Sequence, residues 1–364
     1  MSLRFSGSTQ CIVRARWMMG MLALCPLLSA SAQQSADVAL SGVTDPQLKA
    51  WHEDLKNYTP VESGCFRTSY PSVQWEKVVC GPRPAFVSSH RGAAIAAAAR
   101  EGRVPLETAG NGNDYVAQTA GTTQSGLGTF PVAKGITSEK SVGVAAYGGG
   151  GILGNNEYSL QLNTDINPSS AACSAFGYTS CYVWEQFVYS TAGSGYPAET
   201  FIQNWVFPSE TDYNNRGCPS GWQDASSPGS PACVANSQAV RVPNVAAANL
   251  ASLKLSGTVS SGRDTVIFTD GAQAYSASES DSTVHLGSWW KQSEFNVVGN
   301  AGGSEAVFNK GVSITVNLVV KDGSTNAPTC LSNDGTTGES NNLNLGPCRT
   351  AAGASPSISF TESN

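Results

Sequence analysis

Charged residues are scarce in this sequence of 364 residues and make up 13% of it. Histidine is scarcer still, with three residues. No two cysteines stand in a CxxC spacing and no HExxH segment occurs, so the usual patterns of a zinc site are missing. A GxSxG segment is missing too, which leaves a serine hydrolase of the α/β type unsupported. We therefore predict neither a metal site nor a cofactor.

A glycine-rich segment at residues 149–154 (GGGILG) fits the GxGxxG pattern of dinucleotide-binding proteins. That pattern works only where it follows a strand and opens a helix, because the helix N-terminus holds the pyrophosphate. Here two asparagines and a strand-like segment follow instead. We interpret residues 149–154 as a flexible loop beside a cleft.

Basic residues are few as well: 21 lysines and arginines stand against 27 acidic residues. Three of the arginines lie within residues 1–32, and without that segment the formal charge falls to −9. Partners that carry many negative charges need a basic patch on the protein. We therefore expect no nucleic-acid and no membrane partner, and we expect a monomer.

The N-terminal residues have the three parts of a signal peptide. Arginines without any acidic residue precede an apolar run at residues 18–28 (MMGMLALCPLL), and small residues follow at 30–32 (ASA). The run is shorter than the about 20 apolar residues that cross a bilayer. The sequence predicts a signal peptide at residues 1–32 and a protein secreted to an extracellular or periplasmic space.

Glycine, proline and alternating apolar residues dominate the rest of the chain. The 38 glycines and 18 prolines separate short segments in which apolar and polar residues alternate. This pattern is typical of strands joined by turns. We predict an all-β fold, an antiparallel β-sandwich of the jelly-roll or concanavalin-like kind, formed by residues 111–364. The clearest strands are at residues 158–163, 182–189, 200–207, 253–259, 265–269, 293–298, 312–320 and 357–361.

Residues 33–110 have a different, partly helical pattern. Leu48, Trp51 and Leu55 share one face of a helix predicted over residues 45–56. An alanine-rich segment at residues 92–103 is also compatible with a helix. This N-terminal region is either a pro-segment or a small packed subdomain, and the sequence favours neither.

Ten cysteines are present, and two of them belong to the signal peptide. The others fall into four couples of near neighbours within stretches rich in glycine, proline and serine, as expected of loops closed by disulfides in an oxidising compartment. With so few histidines, a metal site is the weaker interpretation. The predicted disulfides join Cys65 to Cys80, Cys173 to Cys181, Cys218 to Cys233, and Cys330 to Cys348.

Amides and carboxylates on the predicted strands are the candidates for chemistry. Alternation places Gln161 on the face opposite to Leu160 and Leu162, and it places Glu294 on one face with Asn296. A carboxylate and an amide that face each other across a sheet can hold and activate a water molecule. The alternative interpretation is that these are ordinary solvated strand residues.

Six short segments follow one another along the sequence at residues 113–117 (NDYVA), 128–132 (GTFPV), 159–163 (SLQLN), 182–189 (YVWEQFVY), 293–298 (SEFNVV) and 305–315 (EAVFNKGVSIT). In their order and spacing they resemble the eqolisin family of acid glutamic peptidases and, more distantly, the neprosin type. The resemblance implies a β-sandwich that hydrolyses peptide bonds in acid, with Gln161 and Glu294 as the catalytic pair. It implies that Trp184, Gln186 and Trp205 contact the polypeptide substrate.

The chain also departs from the pattern of that family. Tyr182 stands where an acidic residue is expected, and Gln186 replaces a glutamate beside Glu185. Cysteine-bearing insertions occupy residues 173–181 and 218–233, and residues 330–364 lie outside the resemblance. The fold therefore follows from the resemblance more directly than the activity does.

Two other functions stay open. A β-sandwich with exposed Trp, Tyr, Asn and Gln side chains can bind carbohydrate or protein without catalysis. A glycosidase would need two carboxylates about 5–9.5 Å apart, for which Glu185 and Glu294 are the candidates. The distance between Gln161 and Glu294 distinguishes the peptidase from the binding module.

Overall fold

The computed structural model describes residues 45–85, 114–145, 149–332 and 339–364. The predicted signal peptide and the alanine-rich segment at residues 92–103 lie outside the described residues. The fold is an antiparallel β-sandwich, as predicted. Its two large sheets are called sheet I and sheet II below.

Sheet I is built from both ends of the described chain. Its central strands come from the segments on either side of residue 260, and its edges come from the N-terminal and C-terminal parts. In spatial order its strands are Glu76–Val78, Gly64–Ser69, Gln273–Ser280, Arg263–Asp270, Leu253–Ser260, Ser125–Lys134, Ser313–Lys321, Ser357–Ser363 and Asn344–Leu345, with Arg349–Ala351 also paired to Ser357–Ser363.

Sheet II contains the strands for which a catalytic role was predicted. In spatial order they are Gln223–Asp224, Cys233–Asn236, Glu199–Pro208, Cys181–Ser190, Tyr158–Thr164, Gln292–Gly299, Tyr115–Gln118 and Thr329–Ser332. Val240–Arg241 pairs with Glu199–Pro208, and Asn167–Pro168 pairs with Cys181–Ser190. The Tyr158–Thr164 strand lies between Cys181–Ser190 and Gln292–Gly299, so Gln161 occupies the middle of the sheet.

A small third sheet and a few short helices complete the fold. The sheet consists of Ser340–Asn341, Ser304–Phe308, Glu139–Gly143 and Gly154–Asn155, and its first pair is parallel. The α-helices are Asp45–Leu55, Ser170–Phe176 and Glu210–Arg216, and the 3-10 helices are Ala247–Ser252, Asp281–Thr283 and Leu286–Ser288.

The core lies between sheets I and II because alternate side chains of each strand point inward. Leu160 and Leu162 of sheet II are fully buried there, as the alternation predicted. The rings of Phe187 and Phe295 lie against strands of sheet I at positions where those strands carry glycine. Sheet II therefore turns one face to the core and leaves the other face for the side chains of Gln161 and its neighbours.

The N-terminal region extends sheet I. The predicted helix spans Asp45–Leu55 and buries Trp51 and Leu55 against Ile267 of sheet I. The Gly64–Ser69 strand pairs along its whole length with Gln273–Ser280. These residues pack on the sandwich. Their removal as a pro-segment stays a hypothesis.

All four predicted disulfides are present. Each joins cysteines that are close in sequence and therefore closes a local loop rather than linking distant parts of the fold. Within the described residues no helix is long and apolar enough to span a membrane.

Candidate functional site

A narrow cleft lies on the face of sheet II that points away from sheet I. Gln161 comes from the middle strand, and Trp184 with Gln186 comes from the next strand. Trp205 comes from the strand after that, directly opposite Trp184. Glu339, which follows the described residues of the Thr329–Ser332 strand in sequence, completes the wall beside Gln161.

A chain of hydrogen bonds fixes the orientation of the amides in this cleft. The indole Nε1 of Trp205 donates to Gln186 Oε1 over 3.0 Å, and Gln186 Nε2 donates to Gln161 Oε1 over 3.2 Å. Gln161 Nε2 then donates to Glu339 Oε2 over 3.2 Å and to Ser159 Oγ over 3.1 Å. Because an indole N–H can only donate, it sets the direction of every amide that follows. The Gln161 N–H groups therefore point toward the Glu339 carboxylate and the Ser159 hydroxyl.

The same chain has a second branch that ends at Glu294. Gln186 Nε2 also donates to Asn163 Oδ1 over 2.8 Å, and Asn163 Nδ2 donates to Glu294 Oε2 over 3.4 Å. In the sheet register Glu294 is opposite Asn163 and Asn296 is opposite Gln161, so Glu294 is the diagonal neighbour of Gln161. The predicted pair shares one face of the sheet, with Asn163 beside both side chains.

The structure brings four of the five predicted site residues to the cleft. Gln161, Trp184, Gln186 and Trp205 line it, whereas Glu294 does not. Glu339 was not predicted, because it lies in a polar loop outside the segments that resemble a known family. Its position between two disulfide cysteines was the only signal, and that signal does not indicate a direction for the side chain.

Aromatic rings form one wall of the cleft. Trp184 and Trp205 are stacked with centroids 5.9 Å apart, and Phe207 stacks on Trp205 at 5.8 Å. Ala232 and Val234 cover these rings from the loop that the Cys218–Cys233 disulfide closes and from the strand that follows. The disulfide-closed insertion thus shapes an apolar wall that can receive an apolar side chain of a ligand.

The N-terminal region reaches the opposite rim of the cleft through residues 81–85, which we call the strap. Gly81 donates its N–H to Ala239 O over 2.8 Å, and Asn236 Nδ2 donates to Pro84 O over 3.1 Å. Pro84 and Ala85 thereby line the cleft. The remaining free volume is about 70 Å³, which is room for a few waters and too little for a peptide.

The surroundings of Glu294 are acidic and deeply buried. Asn296 Nδ2 donates to Asp114 Oδ2 and to Glu362 Oε2, over 3.2 and 3.3 Å. Burial, followed by the charges of Glu294 and Glu362, raises the pKa of Asp114 well above its usual value. Burial raises the pKa of Glu362 to about 7. Asp114 and Glu362 therefore hold protons in conditions where an exposed carboxyl would be charged.

Glu185 lies on the other face of the sheet. Its neighbours Trp184 and Gln186 line the cleft, so alternation directs Glu185 toward sheet I. There it interacts with Asp264, and burial raises the pKa of both carboxyls. The interpretation of this protein as a glycosidase that uses Glu185 with Glu294 is therefore wrong. The two side chains lie on opposite faces of sheet II, and no groove can lie between them.

Comparison with models of known protein families gives no match, and comparison with curated proteins gives none either. Among the described residues, no three His, Cys, Asp or Glu side chains form a group that could hold a metal ion. The candidate function therefore depends on the geometry of the cleft.

Proposed function

We propose that this protein is a secreted acid endopeptidase of the glutamic type, which acts as a monomer on polypeptide substrates. The observation that carries the proposal is the contact of 3.2 Å between the Gln161 amide and a carboxylate within a cleft. A hydrolase that works without a metal needs such a pair, with one group to deprotonate water and another to stabilise the oxyanion. The resemblance of the strand segments to acid glutamic peptidases supports the same function.

The orientation of Gln161 fits the second of these roles. Gln186 holds the Gln161 carbonyl oxygen, so both Gln161 N–H donors remain directed toward the carboxylate and Ser159. A substrate carbonyl beside them would receive an N–H as its oxygen becomes negative. The base is one of the two carboxylates at the ends of the network, Glu294 or Glu339.

Digestion of an unfolded protein between about pH 2 and 6, followed by mass spectrometry of the fragments, tests the function. We expect the Gln161→Ala variant to lose about 10²–10³-fold in kcat, because the oxyanion loses its amide donor. The matched control is Gln273→Ala, an exposed glutamine of sheet I. If the wild-type protein produces no fragments over that range, the proposal is wrong.

The second candidate function is binding of a glycan or a protein without catalysis. The stacked Trp184 and Trp205, with the amides of Gln203 and Asn236 nearby in the cleft, are the observation that favours it. Sugars stack on aromatic rings and exchange hydrogen bonds with amides. Saturable binding of an oligosaccharide by a protein that cleaves no peptide would support this function instead.

The strap provides a prediction about access to the cleft. The Asn236→Ala variant removes the amide that holds Pro84, which weakens the strap by about 0.5–1.5 kcal/mol. We expect kcat/KM for peptide hydrolysis to rise by a factor of about 2 to 10, since the strap limits entry. Steady-state kinetics of this variant beside Asn249→Ala, an exposed asparagine, provide the measurement. Unchanged or lower kcat/KM would mean that the strap does not restrict the cleft.

A further inference from the structure

We infer that Glu339 is the general base that acts with Gln161, in place of Glu294. This inference rests on the proposed function and assigns its second catalytic residue. Glu339 lies outside the segments that resemble acid peptidases, so its role depends on the geometry alone.

Contact with the amide and access to the cleft both favour Glu339. Its Oε2 accepts directly from Gln161 Nε2, and its side chain lines the cleft. Because the two side chains are in direct contact, an attacking water would lie beside them in the cleft, within reach of the Glu339 carboxylate. General-base catalysis requires the base within hydrogen-bond reach of the attacking water, so this position meets the geometric condition.

Glu294 has the opposite properties. Asn163 Nδ2 donates to Glu294 over 3.4 Å, and Glu294 is absent from the cleft wall. Glu294 contributes to the raised pKa of buried Asp114, so it belongs to a buried acidic cluster that lies outside the cleft lining. A carboxylate in that position supports Asn163 and, through Gln186, the orientation of Gln161. Glu294 is therefore a positioning residue.

Hydrogen bonds on both sides of Glu339 hold it in place. The backbone N–H of Gly303 donates to Glu339 Oε1 over 3.4 Å. Two residues further along the chain, the side-chain Nδ2 of Asn341 donates to Val297 O over 3.0 Å. With one contact to its carboxylate and one to the strand that follows, the Glu339 carboxylate stays in contact with Gln161.

The reaction then proceeds in two steps. Glu339 takes a proton from water while the water oxygen bonds to the peptide carbonyl carbon, and the π electrons move to the carbonyl oxygen, where Gln161 donates an N–H. The oxyanion then re-forms the carbonyl as the C–N bond breaks, and the proton on Glu339 passes to the leaving nitrogen. The products are a carboxylic acid and an amine, and the Glu339 carboxylate is regenerated.

The test compares Glu339→Gln with Glu294→Gln in the full secreted protein, on a peptide that the wild type cleaves in acid. We expect Glu339→Gln to lower kcat by about 10²–10⁴-fold. Glu294→Gln should lower kcat far less, because it disturbs only the orientation of Gln161, and the exposed control Glu62→Gln should leave it unchanged. The reverse result overturns the assignment and leaves the peptidase function standing. A wild-type protein without peptidase activity overturns both.

Chemical rescue distinguishes a base from a residue that only stabilises the fold. In Glu339→Ala, added formate can occupy the space of the missing carboxylate, and we expect hydrolysis to increase with formate concentration. The same formate should have no effect on Glu294→Ala. Circular dichroism confirms that each variant is folded, and a folded Glu339→Ala whose activity does not respond to formate counts against a catalytic role.

Discussion

Raising the pH from about 4 to about 8 should lower the free energy of unfolding by several kcal/mol, because buried carboxyls in the fold hold protons that the unfolded chain releases. Burial, reinforced by the charge of Glu157, raises the pKa of Glu139 to about 8. Burial raises the pKa of Glu362 to about 7. Both side chains are at most 1% exposed, so solvent screens these effects little.

The sign follows from counting protons. Below about pH 4 these carboxyls are protonated in both the folded and the unfolded protein, so their full contribution to the free energy of unfolding is present there. As the pH rises, the unfolded chain releases its protons first and the folded protein releases them only near pH 7 to 8. Stability therefore falls as the pH rises from the ordinary pKa of 4.5 to the folded pKa of about 7 or 8, by about 3 to 5 kcal/mol for each fully shifted carboxyl.

Other buried carboxyls act in the same direction. Burial raises the pKa of Glu185 and Asp264, which interact between the two sheets, and neighbouring acidic charges add to the shift. Burial also raises the pKa of Asp165. Among the described residues none of these groups forms an ion pair. Ionising Glu185 and Asp264 would place negative charges between the two sheets without an ion pair to compensate them.

His52 opposes the trend in part of the range. Burial, with a contribution from Lys254, lowers its pKa to about 4, so protonation of His52 in the unfolded chain costs stability as the pH falls below about 6.5. One histidine offsets about one carboxyl in that interval. Above about pH 6.5 only the carboxyl effect remains, and the fall in stability should be steepest there.

Urea unfolding followed by circular dichroism at a series of pH values measures this dependence. The Glu139→Gln variant should lose part of the fall in stability, since the group that ionises is gone. Glu62→Gln is the matched control, because the Glu62 side chain is 56% exposed. A free energy of unfolding that is constant or increases between about pH 4 and 8 would contradict the prediction.

The strands and disulfides could be predicted because their signals are local. Alternation over seven or eight residues, as in Tyr158–Thr164, predicts both the strand and the face that points into the sandwich, although the residues of both faces are buried in this strand. The four disulfides followed from closeness in sequence, which holds when each bond closes its own loop. The helix at Asp45–Leu55 likewise followed from the spacing of its apolar residues.

The depth of a side chain and the contacts of loops could not be predicted in this way. Alternation placed Glu294 on the correct face, yet it gives no information on what covers that face. The contact between Glu339 and Gln161 joins residues 178 positions apart, and no local pattern encodes it. The same is true of the strap, in which Pro84 meets Asn236 across the cleft.

Gly128→Ala should be strongly destabilising, with a loss of about 3 kcal/mol or more. A Cβ at this position would lie 2.1 Å from Cγ of the Phe295 ring, which fills the space against the strand. The ring is fully buried between the sheets and cannot move away without displacing its neighbours. The backbone of Gly128 has no positive φ, so steric overlap with Phe295 is the cause of the effect.

The partner substitution tests that cause. Phe295→Leu alone leaves a cavity and should cost about 1 kcal/mol or more, whereas combined with Gly128→Ala it should cost clearly less than the sum of the two. Gly121→Ala is the matched control, because its Cβ would meet Asp322 at an ordinary 3.4 Å. Additive stabilities in this cycle would show that the ring and the glycine are not coupled.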